Sequence, residues 1–352
     1  MEYTNINNNN PEVLLYKTGN LSGCLAHLKC KKGRRRILTD LDDVLPISDL
    51  FASDTSKLYS SKAWRRMGDK TQVFTSPNTA LVRTRATHVA EVIACSIIAS
   101  EALGLNTSLV IAAAVGHDIG HVPLGHQGEK WIANQMGNPD FCHEILGPII
   151  AQKIERGGGG LNLTFETLDA MMRHSGNLAK EGMTQEAWVL RYCDKFAYVF
   201  HDVNDIFVRF EYPIPKEIAD TLDYFGKNQR ERTTTAIAAM VVESSKLGRV
   251  SFKHSEIAKK FDRLRTLMYE IYPSVSTQNV DDILSPVLES LDRLNIGDPF
   301  LLLSMMTDTD VLNFSSKRMR DIGDFNQTSV SEILPYIQDI GEINLCDPCL
   351  DW

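Results

Sequence analysis

Between His117 and Glu129 the chain reads His-Asp-Ile-Gly-His-Val-Pro-Leu-Gly-His-Gln-Gly-Glu, three imidazoles and two carboxylates in thirteen residues. The stretch closes the apolar run Leu109 to Val115. Side chains one apart on a helix diverge, so His117 and Asp118 can reach one point only where the helix is ending. Gly116 and Gly120 permit a tight turn there. A buried apolar run that delivers His-Asp at its last turn points to a metal site, with a catalytic extension at His121, His126 and Glu129. His126 and Glu129 stand at i, i+3. A carboxylate beside an imidazole raises its pKa, which favours a protonated general acid near neutral pH.

The elements that must position these groups read as helices. Thr84 to Leu103 carries Val89, Val92, Ile93, Cys95, Ile97 and Ala99 at helical spacing, with Gly104 as its C′ residue. His88 lies near its start and Arg85 a turn earlier on the same side. A lone histidine at a helix start is ordinarily a surface or capping group. Beside the His-Asp turn of the next helix, a ligand becomes the favoured reading. Glu129 to Gln135 and Pro139 to Glu155 are also helical in pattern, the second carrying His143-Glu144, and Thr164 to His174 is amphipathic. In the helix Thr184 to Val203, Asp194, Tyr198 and Asp202 fall at i, i+4 and i+8 and line one face, flanked by Lys195 and His201. From that helix alone, a cavity wall and an exposed polar stripe fit almost equally. Seven of the nine histidines lie between His88 and His201, which favours the cavity.

His88, His117, Asp118 and Asp194 would together supply two imidazoles and two carboxylates, with open positions for water and substrate. Mixed nitrogen and oxygen ligation suits a divalent ion, Mn, Mg, Fe, Co, Ni or Zn, without choosing among them. Such a site lowers the pKa of bound water and polarises a phosphoryl oxygen. Arg85, Lys195 and one of Arg65 or Arg66 are placed to neutralise a polyphosphate. These parts point to metal-assisted hydrolysis of a phosphate ester.

The rest of the chain stays helical in pattern: Pro215 to Tyr224, Glu231 to Leu247, Ser255 to Tyr272, Val280 to Leu294, Asp298 to Leu312 and Ser316 to Asp321. Arg249 to Phe252 is the best strand candidate, and a weak one. The fold class is therefore all-α, parsed as a partly flexible N-terminal segment over 1–55, a core over 56–275 and a helical C-terminal part over 276–352. A 352-residue chain with 43% hydrophobic and 23% charged residues argues against global disorder. Its net charge of −8 disfavours a generic nucleic-acid coat. The expectation is no membrane span and no signal peptide over Met1 to Pro11. Seven scattered cysteines read as reduced thiols, hence cytoplasmic. Cys346 and Cys349 have metal or redox spacing but no second pair. Asn5 to Pro11 reads as a disordered start, Lys29 to Arg36 as a basic solvated loop, and Gly157 to Gly160 as a flexible connector.

SSKAWRRMGDKTQVF from Ser60, then RTRATHVAEV, GHDIGHVPLGHQGE, GLNLTFETL and DKFAYVFHDVND to Asp205 closely resemble, in order, motifs of the HD-domain deoxynucleoside-triphosphate triphosphohydrolases. More weakly, the resemblance runs on to about Tyr272. It implies a helical HD-domain fold, and attack of water on the α-phosphorus of a dNTP to release a deoxynucleoside and intact triphosphate. It implies metal ligation by His88, His117, Asp118 and Asp194, with His126 and Glu129 catalytic and His121 and His143 near the phosphates. Arg85, Lys195, Tyr198 and Asp202 match positions that hold phosphates and sugar. Gln72 matches a residue that meets the sugar 3′-hydroxyl, and Val73 one that crowds a ribose 2′-position. Tyr269 or Tyr272 matches a late tyrosine that closes the sugar pocket. A homo-oligomer, dimer-based up to tetramer or hexamer, and a nucleotide or single-stranded nucleic-acid effector belong to the same implication. Two departures stand out: Phe141-Cys142-His143-Glu144 replaces the usual bacterial Phe-Glu-His-Asn, and Lys195 stands where many bacterial members carry an acid. The competing readings are an HD nucleotidase or phosphodiesterase on another nucleotide, and a catalytically quiet nucleotide or nucleic-acid sensor.

Overall fold

A computed structural model describes residues 15–16, 19, 21–36, 48–72, 81–275, 279–316, 322–325, 328–348 and 350. Asn5 to Pro11, Val73, Cys349 and most of the expected helix Ser316 to Asp321 lie outside them. Fourteen α-helices are present among the described residues. No strand is found there; Thr71 and Thr84 form an isolated antiparallel bridge, and Arg249 to Phe252 is unpaired coil.

The chain divides into two compact units. The first comprises Met1–Lys31, Glu91–Ile111 and Glu181–Val275. Its framework is α8 (Gln185–Val203), α9 (Lys216–Phe225), α10 (Gln229–Leu247) and α11 (Glu256–Val275), which pack on one another. Helix α8 starts where the Thr184 hydroxyl accepts the Ala187 amide, satisfying one of the donors that a helix N-terminus leaves open. Its apolar side puts Phe196 and Phe200 into an edge-to-face cluster with Phe225, Phe252 and Phe261. Burying each such ring is worth on the order of 1.5–3 kcal/mol, which sets which face of α8 turns inward.

The second unit comprises Lys32–Ala90, Ala112–Lys180 and Ser276–Trp352. It holds α1 (Leu50–Ser60), α2 (Lys62–Arg66), α5 (Gly125–Met136), α6 (His143–Ile149), α7 (Phe165–Met172), α12 (Val280–Leu294), α13 (Pro299–Met305) and α14 (Asp308–Ser316). Here α6 packs on α7, and α12 packs on α5, α13 and α14. The remaining helices, α3 (Arg85–Leu103) and α4 (Thr107–Gly116), each contribute residues to both units.

Three elements differ from the periodicity reading, each for a local reason. The expected helix Asp298 to Leu312 is two helices. Thr307 and Asp310 form a reciprocal capping box: the Thr307 hydroxyl accepts the Asp310 amide, and the Asp310 carboxylate accepts the Thr307 amide at 3.0 Å. That box stops α13 and starts α14. The expected helix Pro139 to Glu155 begins only at His143 and passes into a π-helical turn, Ile150–Ile154, just after Pro148, which has no amide hydrogen to give. Helix α3 has the length and mean hydropathy (1.4) of a membrane span, contrary to the reading of the sequence. Yet it buries Arg85 and His88, each 1% exposed, so it is occupied as a core helix that carries the site.

The basic stretch Lys29 to Arg36 is not wholly solvated. Arg34 binds Glu166 through its backbone amide (2.8 Å) and Nε (2.7 Å) and lies over the Phe165 ring, while Arg35 pairs with buried Asp54 at 2.6 Å.

Candidate active site

Helix α4 ends at Gly116, and His117 to Gly120 form the turn that follows. The His117 Nδ1 lies 2.7 Å from the Ala114 carbonyl, which can only accept. The ring proton therefore sits on Nδ1, and Nε2 carries the lone pair, 3.6 Å from Asp118 Oδ1. His88, from the first turns of α3, completes a set with His117 and Asp118 whose donor atoms lie within 4.8 Å of one another. All three residues are at most 3% exposed. Two imidazole nitrogens and a carboxylate converging in a buried place fit a divalent ion.

Asp118 is the hub of the unit. Its Oδ2 accepts from Arg85 Nη1 at 2.9 Å, and its Oδ1 lies 3.2 Å from His121 Nε2. Burial would raise its pKa, but His117, His121 and Arg85 hold the carboxyl well below its usual range. Arg85 keeps Nε and Nη2 buried without a hydrogen-bond partner among the described residues, as is Nδ1 of His121. Burial, then the Arg85 and His143 charges, keep the His121 ring well below its usual pKa and hence neutral.

Glu129 is hydrogen-bonded to His143. Its Oε2 accepts from the His143 backbone amide at 2.8 Å and lies 2.7 Å from His143 Nδ1. The first-turn amide of α6 has no partner inside its own helix, and Glu129 supplies one. Burial works against the imidazolium, but Glu144 and Glu129 raise His143 to about 9. Glu144 in turn falls to about 2 despite its burial, held by His143 and His174 and by a hydrogen bond from Ser175. His126 is the exposed ring of the group, its centroid 5.1 Å from that of His121. Protein packed around it and the His143 charge push its pKa down, Glu129 pushes it up, and the net shift is downward.

Gly120 sets this geometry by close approach, more than by turning. A Cβ there would lie 2.1 Å from the His143 carbonyl oxygen and 2.4 Å from the Gly147 nitrogen. The left-handed residues of the loop are Leu124 (φ 61°) and Gly125 (φ 59°). A leucine in that conformation needs outside support. Asp308 at the start of α14 gives it: Oδ1 accepts the Leu124 amide at 2.8 Å, and Oδ2 accepts the Thr71 amide at 2.8 Å and the Thr71 hydroxyl. Beside it the buried Lys70 ammonium donates to the His121 and Ser304 carbonyls. Burial and the Arg66 and Arg85 charges pull Lys70 down to about 7.

Gln72 follows this bridge, its Oε1 buried without a hydrogen-bond partner among the described residues. Arg66 is engaged elsewhere, its Nη2 3.6 Å from Glu155 in a buried pair, while Arg65 is exposed. Reading the sequence missed His174 and Asp308, gave Glu144 no role, and set Lys70 against a polyanion where it donates to backbone carbonyls. His174 ends a buried apolar helical run, which was a usable signal; Asp308 offered none.

In the first unit the polar stripe of α8 meets tyrosines of α11. Tyr198 and Tyr269 share a hydrogen bond of 2.8 Å, and the Tyr272 hydroxyl donates to Asp202 at 2.5 Å. Lys195 is brought to about 8 by burial and by Arg191 and Arg265. Asp194 is 6% exposed.

The HD-domain family profile matches residues 85–199. A deoxyguanosinetriphosphate triphosphohydrolase-like protein of Clostridium tetani is 35% identical over 253 residues, 69% of this chain and 71% of that protein. One from Caldanaerobacter subterraneus subsp. tengcongensis is 33% identical over 282 residues, 80% of each chain. A third, from Clostridium perfringens, is 36% identical over 248 residues, 68% of this chain and 70% of the relative. With the His-Asp turn and its helical setting in place, the chain belongs to the HD-domain family of deoxyguanosinetriphosphate triphosphohydrolase-like proteins.

Proposed function

We propose that the chain hydrolyses deoxynucleoside triphosphates, dGTP or several dNTPs, to deoxynucleoside and inorganic triphosphate. The observation that carries this is Arg85: a buried guanidinium with two N–H groups that have no partner among the described residues, beside a His/His/Asp donor set. A guanidinium left with free donors in such a place asks for a planar or tetrahedral oxyanion, and phosphate meets that demand. His88, His117 and Asp118, with Asp194 as the fourth ligand by its motif, would hold the divalent ion, which supplies Lewis acidity to the phosphoryl group. Arg85 and His121 orient the phosphate oxygens. Neutral His126 accepts a proton from the attacking water and returns it to the leaving 5′-oxygen, so a single ring serves both ends of the displacement. Lys195 and the Tyr198, Asp202 and Tyr272 face bind the remaining phosphates and sugar. Gln72 meets the 3′-hydroxyl.

The test is to incubate metal-loaded protein with each dNTP, with and without a second dNTP as activator. Free triphosphate with an equimolar deoxynucleoside is the expected product; pyrophosphate or monophosphate from the same incubation refutes the reading. Asp194→Ala should lose metal by elemental analysis, and full retention removes Asp194 from the ligand set.

A further inference from the structure

We propose that the head of α5 is the second half of an oxyanion hole whose first half is Arg85. Together they hold a phosphate between the backbone amide of His126 and the Nε/Nη2 edge of the guanidinium. The choice of phosphate rests on the reading above; the hole itself rests on Arg85 and α5.

Arg85 gives only one end to the metal set, where Nη1 donates to Asp118 Oδ2 at 2.9 Å. Nε and Nη2 share another edge of the planar group, with two parallel N–H bonds. Both are buried without a hydrogen-bond partner among the described residues, on a side chain 1% exposed. Such an edge takes two oxygens of one oxyanion. It reaches the start of α5, because a Cβ on Gly125 would lie 3.3 Å from Arg85 Nη2.

The start of α5 is itself open to an anion. First-turn amides have no partner inside their own helix, and the N-terminus carries roughly half a positive charge. Helices α1, α2, α7, α8, α10, α12 and α13 answer this with a side-chain oxygen, from Asp49, Ser61, Thr164, Thr184, Asn228, Asn279 and Asp298. The residue in that position before α5 is Leu124, left-handed at φ 61° and with no oxygen in its side chain. The first bond of the helix runs from the Gly128 amide to the Leu124 carbonyl, which leaves the His126 amide ahead of it. Gly125 and Arg85 are buried and His126 is exposed, so the corner has a closed wall and a mouth to solvent. Its carboxylates are committed elsewhere: Asp118 to Arg85 Nη1, Asp308 to the Leu124 and Thr71 amides, and Glu129 to the His143 amide.

This shape selects a tetrahedral anion. A flat carboxylate fills the guanidinium edge and has no further oxygen to give. A phosphate brings two oxygens to the edge and a third to the His126 amide, as phosphates bind at helix N-termini. His126 then has two separate duties: its backbone positions the phosphate, and its ring handles the proton.

The full chain, stripped with chelator so that no metal ion contributes, is titrated with inorganic triphosphate by calorimetry. One site per chain is expected. It should persist in His126→Ala, which removes the ring and keeps the amide. His126→Pro removes the amide, and proline is tolerated in the first turn of a helix. It should bind about 10–100-fold more weakly than His126→Ala, the range for one hydrogen bond to a charged group. Arg85→Lys keeps the charge, loses the paired edge and should fall by a similar factor. Circular dichroism checks that each variant is folded. Nuclear magnetic resonance of the wild-type chain with isotopically labelled histidine needs no proline variant. There the His126 amide signal, identified by its absence in His126→Ala, should shift when triphosphate is added. An unmoved His126 amide, no binding by the metal-free wild type, or equal affinity in folded His126→Pro and His126→Ala overturns the hole. Triphosphate bound in this way by a chain that hydrolyses no dNTP upholds the hole and sinks only the reaction.

Discussion

Asp308, at the start of α14, accepts the backbone amide of Leu124 at 2.8 Å, and so ties the C-terminal helices to the loop that presents His126. The same carboxylate takes the Thr71 amide. Asp308→Ala leaves three buried donors without this acceptor, the Leu124 and Thr71 amides and the Thr71 hydroxyl, and each unpaired amide costs about 1–3 kcal/mol. The expected outcome is a lowered Tm and a fall in kcat with metal content retained. Asp308→Asn keeps one acceptor and should fall between the two. Wild-type kcat in a stable Asp308→Ala protein would show that the loop holds itself.

Gly120→Ala places a methyl group against the His143 carbonyl and the Gly147 nitrogen, backbone atoms that cannot rotate away. Helix α6 must then shift, at about 1–3 kcal/mol of overpacking strain. Thermal denaturation should show the loss, and turnover should fall because His143 moves relative to Asp118. An unchanged Tm would mean that α6 yields freely.

His126→Ala removes an exposed ring outside the His88–His117–Asp118 set, so metal held there should be unaffected. Loss of a proton-transfer group typically lowers turnover by about 10²–10⁴-fold. Metal stoichiometry and kcat measured on the same preparation separate this from a ligand role.

Acid should unfold the metal-free chain partly through Glu144. Its carboxyl lies at about 2 in the fold against 4.5 for the free group, so the native state binds its proton less readily than the unfolded state. That stability is fully present above pH 4.5 and is lost as pH falls from there through about 2. Its limit is about 3 kcal/mol at 1.36 kcal/mol per pKa unit. Denaturant titrations at pH 6 and pH 3, with chelator present, should show a steeper acid loss for the wild type than for Glu144→Gln. Equal losses would assign the acid sensitivity to other carboxyls.

Much of this was legible locally. The end of α4 at Gly116, the helix bearing Arg85 and His88, and the Asp194–Tyr198–Asp202 stripe all follow from spacing within one element. Periodicity within a helix depends only on its own 3.6-residue turn, and Val280–Leu294 matches its expected bounds for that reason. The Thr307–Asp310 box was also written in the sequence, but a continuous apolar pattern hid it.

Sequence by itself determined which side chains each helix presents and where the His-Asp turn falls, because those depend on neighbours along the chain. Tertiary structure decided which groups meet across elements. Glu129 pairs with His143 rather than with His126, its neighbour at i+3 spacing, because Gly120 lets α6 close against the loop. His174 joins Asp118 because α7 packs on α6, and Asp308 props Leu124 from a separation of 184 residues. No spacing rule reaches that far: such contacts are fixed by how buried faces pack, and packing is a property of the whole folded chain.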